Sequence, residues 1–515
     1  MRIGTNVAAI VANNALQKSQ NNLSTSIERL SSGYKINGSK DDAAGCAISE
    51  KMRAQIRGLS QAQNNTADGV SVLNTAEGAI TEIQSMLTRL KELSVQAAND
   101  VNSDDEREAI QKEIEQINNE IDRISDQTEF NTQSLINGNL SRRVYSDLQG
   151  VNQLSVSDSY TAGVYGITVT EDARQAIAVG AGSITMSSTA SITKEQEGTI
   201  NINGYKISIS EGDTLDKVMG KIIDGVNITG GSAFTVKDLN NDTAANGTDY
   251  AGYVPTADYA GSTLVIMTNQ YGSDQKMNIT CDNAELADIL GIPQAATQDG
   301  IYVEGSDVKA EIATGDDGKR IGFADSAILS TKGTVITVTD VNNKEFSMDV
   351  PGNAAGTVFD DSNNDGQSAA GAGTARTISQ EVTDVGTMSI HVGANQDQVI
   401  VIDIPAITTY SLGTEHMNVM TQYTASRAIS TVDEAINKTN KIRSRIGAYE
   451  NRFDHTTNNL EVSSENLTKS LSTMIDTDMS EEMTTYTSET VLTQAATSIL
   501  AQANERPSQV LQLLQ

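Results

Sequence analysis

Residues 73–90 read LNTAEGAITEIQSMLTRL. Leu73, Ala76, Ile80, Ile83, Leu87 and Leu90 alternate by three and four positions, the spacing that holds one apolar stripe on one helix face over many turns. The stripe sits in a longer helical pattern that opens at DDAAGCAISEKM (41–52) and runs to about Asn99. At 1.5 Å per residue such a helix is on the order of 80 Å long. No compact domain is that wide, so the element is expected to belong to a rod.

Working toward the N-terminus, Leu16, Leu23 and Leu30 recur every seven residues with Ile27 between the last two, which predicts a helix from about Thr5 to Leu30. SSGYKINGSKDD (31–42) ends it. Gly33 suits the left-handed position after a helix, and Ser39 with Asp42 resembles a capping box for the helix that follows. Working toward the C-terminus, Ser103 and Glu106 form a second such box, after which Ile110, Ile114, Ile117, Ile121 and Ile124 step by four and three. The pattern returns near the end of the chain through Ile429, Val432, Ile436, Ile442, Ile446, Tyr449, Phe453, Leu460, Leu467 and Leu471. Leu492, Ala495, Ala496, Ile499 and Ala503 then give a seam of smaller residues. No proline interrupts residues 1–254 or 406–506, so nothing in the covalent chain breaks these helices.

Both ends are unexpectedly apolar. Val7, Ile10 and Val11 lie almost at the start, and Val510, Leu511, Leu513 and Leu514 fall within the last six residues, just after Pro507. Chain ends are normally polar and frayed. Helices with small-residue faces are marginal alone in water, so both ends are expected to be mobile singly and to order on association.

Between about Ser141 and Pro405 the chain is rich in Gly, Thr, Asp and Asn. Alternating runs such as TININGYKISIS, STLVIMTN, TVITVTDV and VIVIDIP read as short strands, with GDTLDKVMGKIIDGV as a helix among them. The expected fold class is therefore α+β: long helices from both termini forming a rod, with a β-rich insert in the middle.

The net charge of −31 excludes a nucleic-acid binder, which needs clustered Lys and Arg. Residues 1–140 carry 13 basic and 19 acidic groups, residues 141–419 carry 15 and 36, and residues 420–515 carry 8 and 12. The insert is thus a solvated, self-repelling surface, while the near-neutral ends are free to associate. No segment is apolar enough to insert in a membrane, and Arg2 followed by a short apolar run is not a cleavable signal. Cys46 and Cys281 form no C-x-x-C motif and are read as a small core residue and a strand residue.

The stretches IERLSSGYKINGSKDDAAGCAISEKM, LKELSVQAAND, EIDRISDQTEFN, RSRIGAYENRFDHTTNNL and AATSILAQANERPSQVLQLLQ closely resemble the terminal regions of bacterial flagellin, in the same order and at both ends. The likeness covers about residues 1–140 and 420–515, and the middle resembles the variable domains of flagellins. The resemblance implies a self-assembling subunit of the flagellar filament, used for motility. Residues 1–40 and 477–515 would be terminal helices of the inner filament core, 41–175 and 406–476 the two parts of the rod domain, and 176–405 surface-exposed variable domains. Ile10, Leu16, Leu23, Ile27, Leu30, Leu492, Ile499, Val510, Leu511 and Leu514 would be the polymerisation seams, buried by other copies of the chain. The implied partners are those copies in a helical homo-oligomer, the flagellar export apparatus, an export chaperone, and cap and hook-associated proteins. Type III export without a cleaved signal would place the chain outside the cell. The resemblance also implies recognition by toll-like receptor 5 through LTRLKELSVQ and the next helix, with Arg89, Leu93 and Glu113 at the family's recognition positions. The chain carries Thr88, Lys91 and Ser94 where many recognised members carry Gln, Arg and Ala.

No catalytic reading emerges, and no cofactor or metal is expected. His391, His416 and His455 form no H-E-x-x-H motif, and GDDGKR (315–320) lacks the spacing of a phosphate-binding loop. DSNNDG (361–366) fits the first half of an EF-hand loop, but its twelfth position is Ala372, so a polar surface loop is expected. Two other classes stay open. A hook-filament junction protein shares coiled terminal helices, but that family reads DDP where this chain has DDAAG. An adhesin or enzyme carried on flagellin-like termini would keep its active part in the insert.

Overall fold

A computed structural model describes residues 6–157, 160–180, 182–237, 259, 261–292, 300–315, 318–341, 344–352, 359–360, 369–370, 375–383 and 385–513. The DSNNDG loop and Leu514 lie outside the described residues. Eight α-helices are described: α1 (Val7–Ser32), α2 (Ala43–Ala97), α3 (Asp104–Gln127), α4 (Leu215–Ile228), α5 (Ala284–Ile289), α6 (Thr409–Leu412), α7 (Gln422–Ile475) and α8 (Met479–Leu513). Strands occupy the chain between α3 and α6, as the alternating runs predict. The fold is α+β, with helical terminal regions and a β-rich centre.

Local signals account for most helix ends. Gly33 adopts φ 78°, and its N–H donates to the Arg29 carbonyl at 2.8 Å, closing α1. The Ser103–Glu106 capping box of α3 is formed in both directions. The start of α2 differs from the expected Ser39 cap. The Asp41 N–H bonds the Gly38 carbonyl at 3.0 Å, making a turn of residues 39–41, so Asp42 caps instead and its Oδ1 accepts from the Ala44 N–H at 3.0 Å. Pro507 does not stop α8, which continues to Leu513.

The chain divides into two compact units. The first comprises Met1–Val70, Ile390–Ile400 and Asn451–Gln515. In it α1 pairs with α8, while the first part of α2 packs on the last part of α7 through Leu59, Ala62 and Leu460. The Phe453 ring lies 3.0 Å from where a Cβ at Gly69 would stand, so any larger residue there would have to push the ring back by a few tenths of an ångström. The loops after α1 and α7 are tied by Lys35 N–H to the Ile475 carbonyl at 2.6 Å and Thr477 N–H to the Gly33 carbonyl at 2.9 Å.

The second unit comprises Ser71–Ser389 and Val401–Glu450. The stripe quoted at the outset is its helical core: Leu73, Ala76, Ile80, Ile83, Leu87 and Leu90 are fully buried, alongside Ile114 and Ile121 of α3 and Val432, Ala435, Ile446 and Tyr449 of α7. Ile117 and Ile124 are only half-buried, because they sit at the edge of a seam whose centre runs through Ile114, Asn118 and Ile121. Lys91 Nζ to Asp433 Oδ1 at 2.6 Å and Arg443 Nη2 to Glu77 Oε1 at 3.2 Å bridge α2 to α7.

Among the described residues the β-rich part holds two large cores and a smaller cluster of Val179, Phe234, Val265 and Met267. In the first, antiparallel strands Ile301–Glu304, Lys276–Cys281, Gly198–Ile202 and Tyr205–Ile209 lie in that order and pack on α4 through Ile200, Ile207, Val218 and Ile222. Asn203 and Gly204, both at positive φ, make the tight hairpin turn. Asp213 then receives Lys217 and Lys221 at 2.7 and 2.6 Å; these bonds hold its carboxyl well below the usual carboxylate range and fasten α4 to the preceding turn. The second core lies between two four-stranded antiparallel sheets, where Tyr160, Tyr165, Phe323 and Phe346 meet edge to face or stacked at 5.0–6.1 Å. Cys281 is buried in its strand and Cys46 is half-buried in α2; both are free thiols.

Candidate assembly surface

The terminal helices run antiparallel. Asn6 Nδ2 donates to the Ala503 carbonyl at 2.8 Å, Asn22 Nδ2 to Glu489 Oε1 at 2.9 Å, and Arg29 Nη1 lies 3.6 Å from Glu482 Oε2. The inward face of α1 is the three-four series Ala9, Ala12, Leu16, Ser19, Leu23 and Ser26, ending near Leu30. That of α8 is Glu482, Tyr486, Glu489, Thr493, Ala496, Leu500 and Ala503.

These faces divide residues that the sequence reading placed in single seams. Leu16, Leu23 and Leu30 are half-buried in the pair, as a seven-residue repeat requires. Ile27 and Ile10 remain 50% and 51% exposed on other faces of α1, beside Val7 and Val11. In α8, Ala496 and Ala503 point inward, but Leu492 and Ile499 point outward and are 49% and 56% exposed, as is neighbouring Val491. Val510 and Leu511 lie in α8, with side chains outside those described. The sequence reading had Ala496 and Ala503 of the α8 series but missed the rest, in which Tyr486 and Leu500 alternate with Glu482, Glu489 and Thr493. Its signal was the three-four spacing from Glu482 onward, which a search for apolar residues passes over.

The pair therefore uses one face of each helix and leaves large aliphatic residues exposed on others. Large aliphatic residues left exposed on two adjacent helices are suited to burial against another protein surface.

Arg89, Leu93 and Glu113 come together in the second unit, but not on one surface. Arg89 Nε and Nη2 donate to Glu113 Oε1 at 3.0 and 2.8 Å across α2 and α3, with both side chains about half exposed. The hydrogen bond to Glu113, with a second to Glu92, raises the Arg89 pKa. Leu93 is 1% exposed and belongs to the helical core. Among the described residues no group of three His, Cys, Asp or Glu side chains is placed to hold a metal, and no helix is long and apolar enough to cross a membrane.

Comparison with known proteins assigns both helical ends. Residues 3–141 match the bacterial flagellin N-terminal helical region and residues 429–514 the bacterial flagellin C-terminal helical region. The chain is 32% identical to a flagellin of Salmonella typhimurium over 537 aligned residues, covering 99% of each protein. It is 30% identical to polar flagellin A of Vibrio parahaemolyticus, covering 100% of this chain and 99% of the relative, and 29% identical to a flagellin of Clostridium tyrobutyricum, covering 96% and 98%. The chain accordingly belongs to the bacterial flagellin family and is a structural subunit of the flagellar filament, not an enzyme.

Proposed function

We propose that assembly proceeds by burial of the outward faces of α1 and α8 against other copies of the chain. The observation that carries this reading is the exposure of Ile10, Ile27, Leu492 and Ile499 after the inward faces are already paired. Apolar area removed from water contributes about 25 cal/mol per Å², so several such residues per copy supply the driving force. The mechanism is coupled ordering and binding, each incoming copy fixing its terminal helices at the growing end. In the filament, residues 1–40 and 477–515 would form the inner core, 41–175 and 406–476 the rod, and 176–405 the acidic outer surface. Delivery through the flagellar export apparatus with a chaperone, outside the cell and without a cleaved signal, fits this reading. Cap and hook-associated proteins would meet the two ends of the filament.

Removal of residues 507–515 tests the role of the tail. The intact chain is expected to extend filament seeds at neutral pH, read by pelleting and negative-stain microscopy, and the shortened chain is not. Equal extension by both would count against the tail as part of the seam.

A second reading, recognition by toll-like receptor 5, is favoured by the exposed Arg89–Glu113 pair joining α2 and α3. In that reading Leu93 supports the surface from beneath.

A further inference from the structure

The leucines of α1 do not by themselves fix the register of the α1–α8 seam. Leu16, Leu23 and Leu30 are seven residues apart, so sliding α8 by one heptad presents the same leucine ladder to it. Around these leucines the inward residues of α1 are Ala and Ser, while α8 presents Tyr486 and Leu500 among smaller Thr493, Ala496 and Ala503. Polar contacts add to the choice among the registers.

Two polar pairs one heptad apart do so. Asn22 Nδ2 donates to Glu489 Oε1 at 2.9 Å, and Arg29 Nη1 faces Glu482 Oε2 at 3.6 Å. Glu489 Oε2, Glu482 Oε1 and Arg29 Nε are buried with no hydrogen-bond partner among the described residues, so the seam gives these groups little solvent to fall back on. Slid one heptad one way, α8 would set Glu489 against Arg29 and keep an ion pair, but Asn22 would face Ala496. Slid the other way, Asn22 would face Glu482, and Arg29 would face Ile475, beyond the start of α8. Only the observed register satisfies both pairs.

We propose that Asn22 and Glu489 are the register-setting residues of the terminal helix pair, with Arg29–Glu482 as a supporting contact, and that they determine which outward apolar face is offered to the next copy. Asn22 itself is exposed, but Glu489 and Glu482 each keep one carboxylate oxygen buried, so misalignment strands a charged group in the seam. The proposal rests on the assembly reading above, since register matters only if the outward face must match another copy.

The test is a reciprocal exchange in the full chain, read by critical concentration in seeded polymerisation. Asn22→Glu places two carboxylates in one site and is expected to raise the critical concentration at least about tenfold. Adding Glu489→Asn restores an amide–carboxylate pair with the ends exchanged and is expected to bring it back within about threefold of native. Register is read separately by oxidative cross-linking of Asn6→Cys with Ala503→Cys in a Cys46→Ser, Cys281→Ser background. The yield is expected to fall at least threefold with Asn22→Glu and to recover in the exchange. Native-like assembly or native-like cross-linking by Asn22→Glu overturns the proposal, as does an exchange that performs no better than the single variant. If the native chain itself fails to extend seeds, the assembly reading fails and the register proposal falls with it.

Discussion

Arg107 closes the end of a helix to which it does not belong. It is 7% exposed on α3, with Nε donating to the Ala97 carbonyl at 3.2 Å and Nη2 to the Asn99 carbonyl at 3.1 Å, so it satisfies backbone acceptors where α2 stops. Asp100 and Asp104 lie 3.9 and 3.8 Å from its guanidinium. Arg107→Met keeps the stem and removes the donors. Hydrogen bonds from a charged group are worth about 1.5–3 kcal/mol, so the helical signal is expected to melt several degrees lower by circular dichroism; an unchanged midpoint would show that water caps α2 equally well. Residues whose partners are close in sequence were legible: Gly33 and the Ser103–Glu106 box act as their spacing implies. Arg107 was not, because its role depends on how the α2–α3 reversal folds back. Ser39 failed for a similar reason, since the turn at 38–41 moved the cap to Asp42.

At the scale of elements, α4 carries two glycines with opposite expectations. A Cβ at Gly225 would stand 2.5 Å from Ile207 Cδ1 and 2.8 Å from its Cγ1, whereas at Gly220 nothing lies within 4 Å. Gly220→Ala is expected to stabilise by roughly 0.5–1 kcal/mol through helix propensity. Gly225→Ala is expected to destabilise by about 1–3 kcal/mol through overpacking against the sheet, despite the same gain in propensity. Denaturation midpoints of the two variants that move together would refute this account of the helix–sheet packing. The alternating runs around α4 and the long apolar seams of α2, α3 and α7 were readable because burial imposes a strict period on them. The inward face of α8 was not, since its Tyr486 and Leu500 alternate with Glu, Thr and Ala and give no apolar period.

At the scale of the whole molecule, composition and exposed surface tell one story. The acidic insert provides solubility, while the near-neutral ends carry the large aliphatic residues left bare on α1 and α8. That the ends carry apolar residues and form helices was legible in the sequence; which residues the pair covers was not, because Leu492 and Ala496, four positions apart, lie close together on the helix and only packing decides between them. The most direct measurement is the critical concentration for seeded polymerisation of Leu492→Ser/Ile499→Ser, with circular dichroism confirming native helix content. Losing two half-exposed aliphatic groups from a buried interface costs about 2 kcal/mol together, about thirtyfold in critical concentration. A rise of that order with the monomer intact is the predicted result. An unchanged critical concentration would contradict the claim that the outward faces of the terminal helices are where copies of this chain meet.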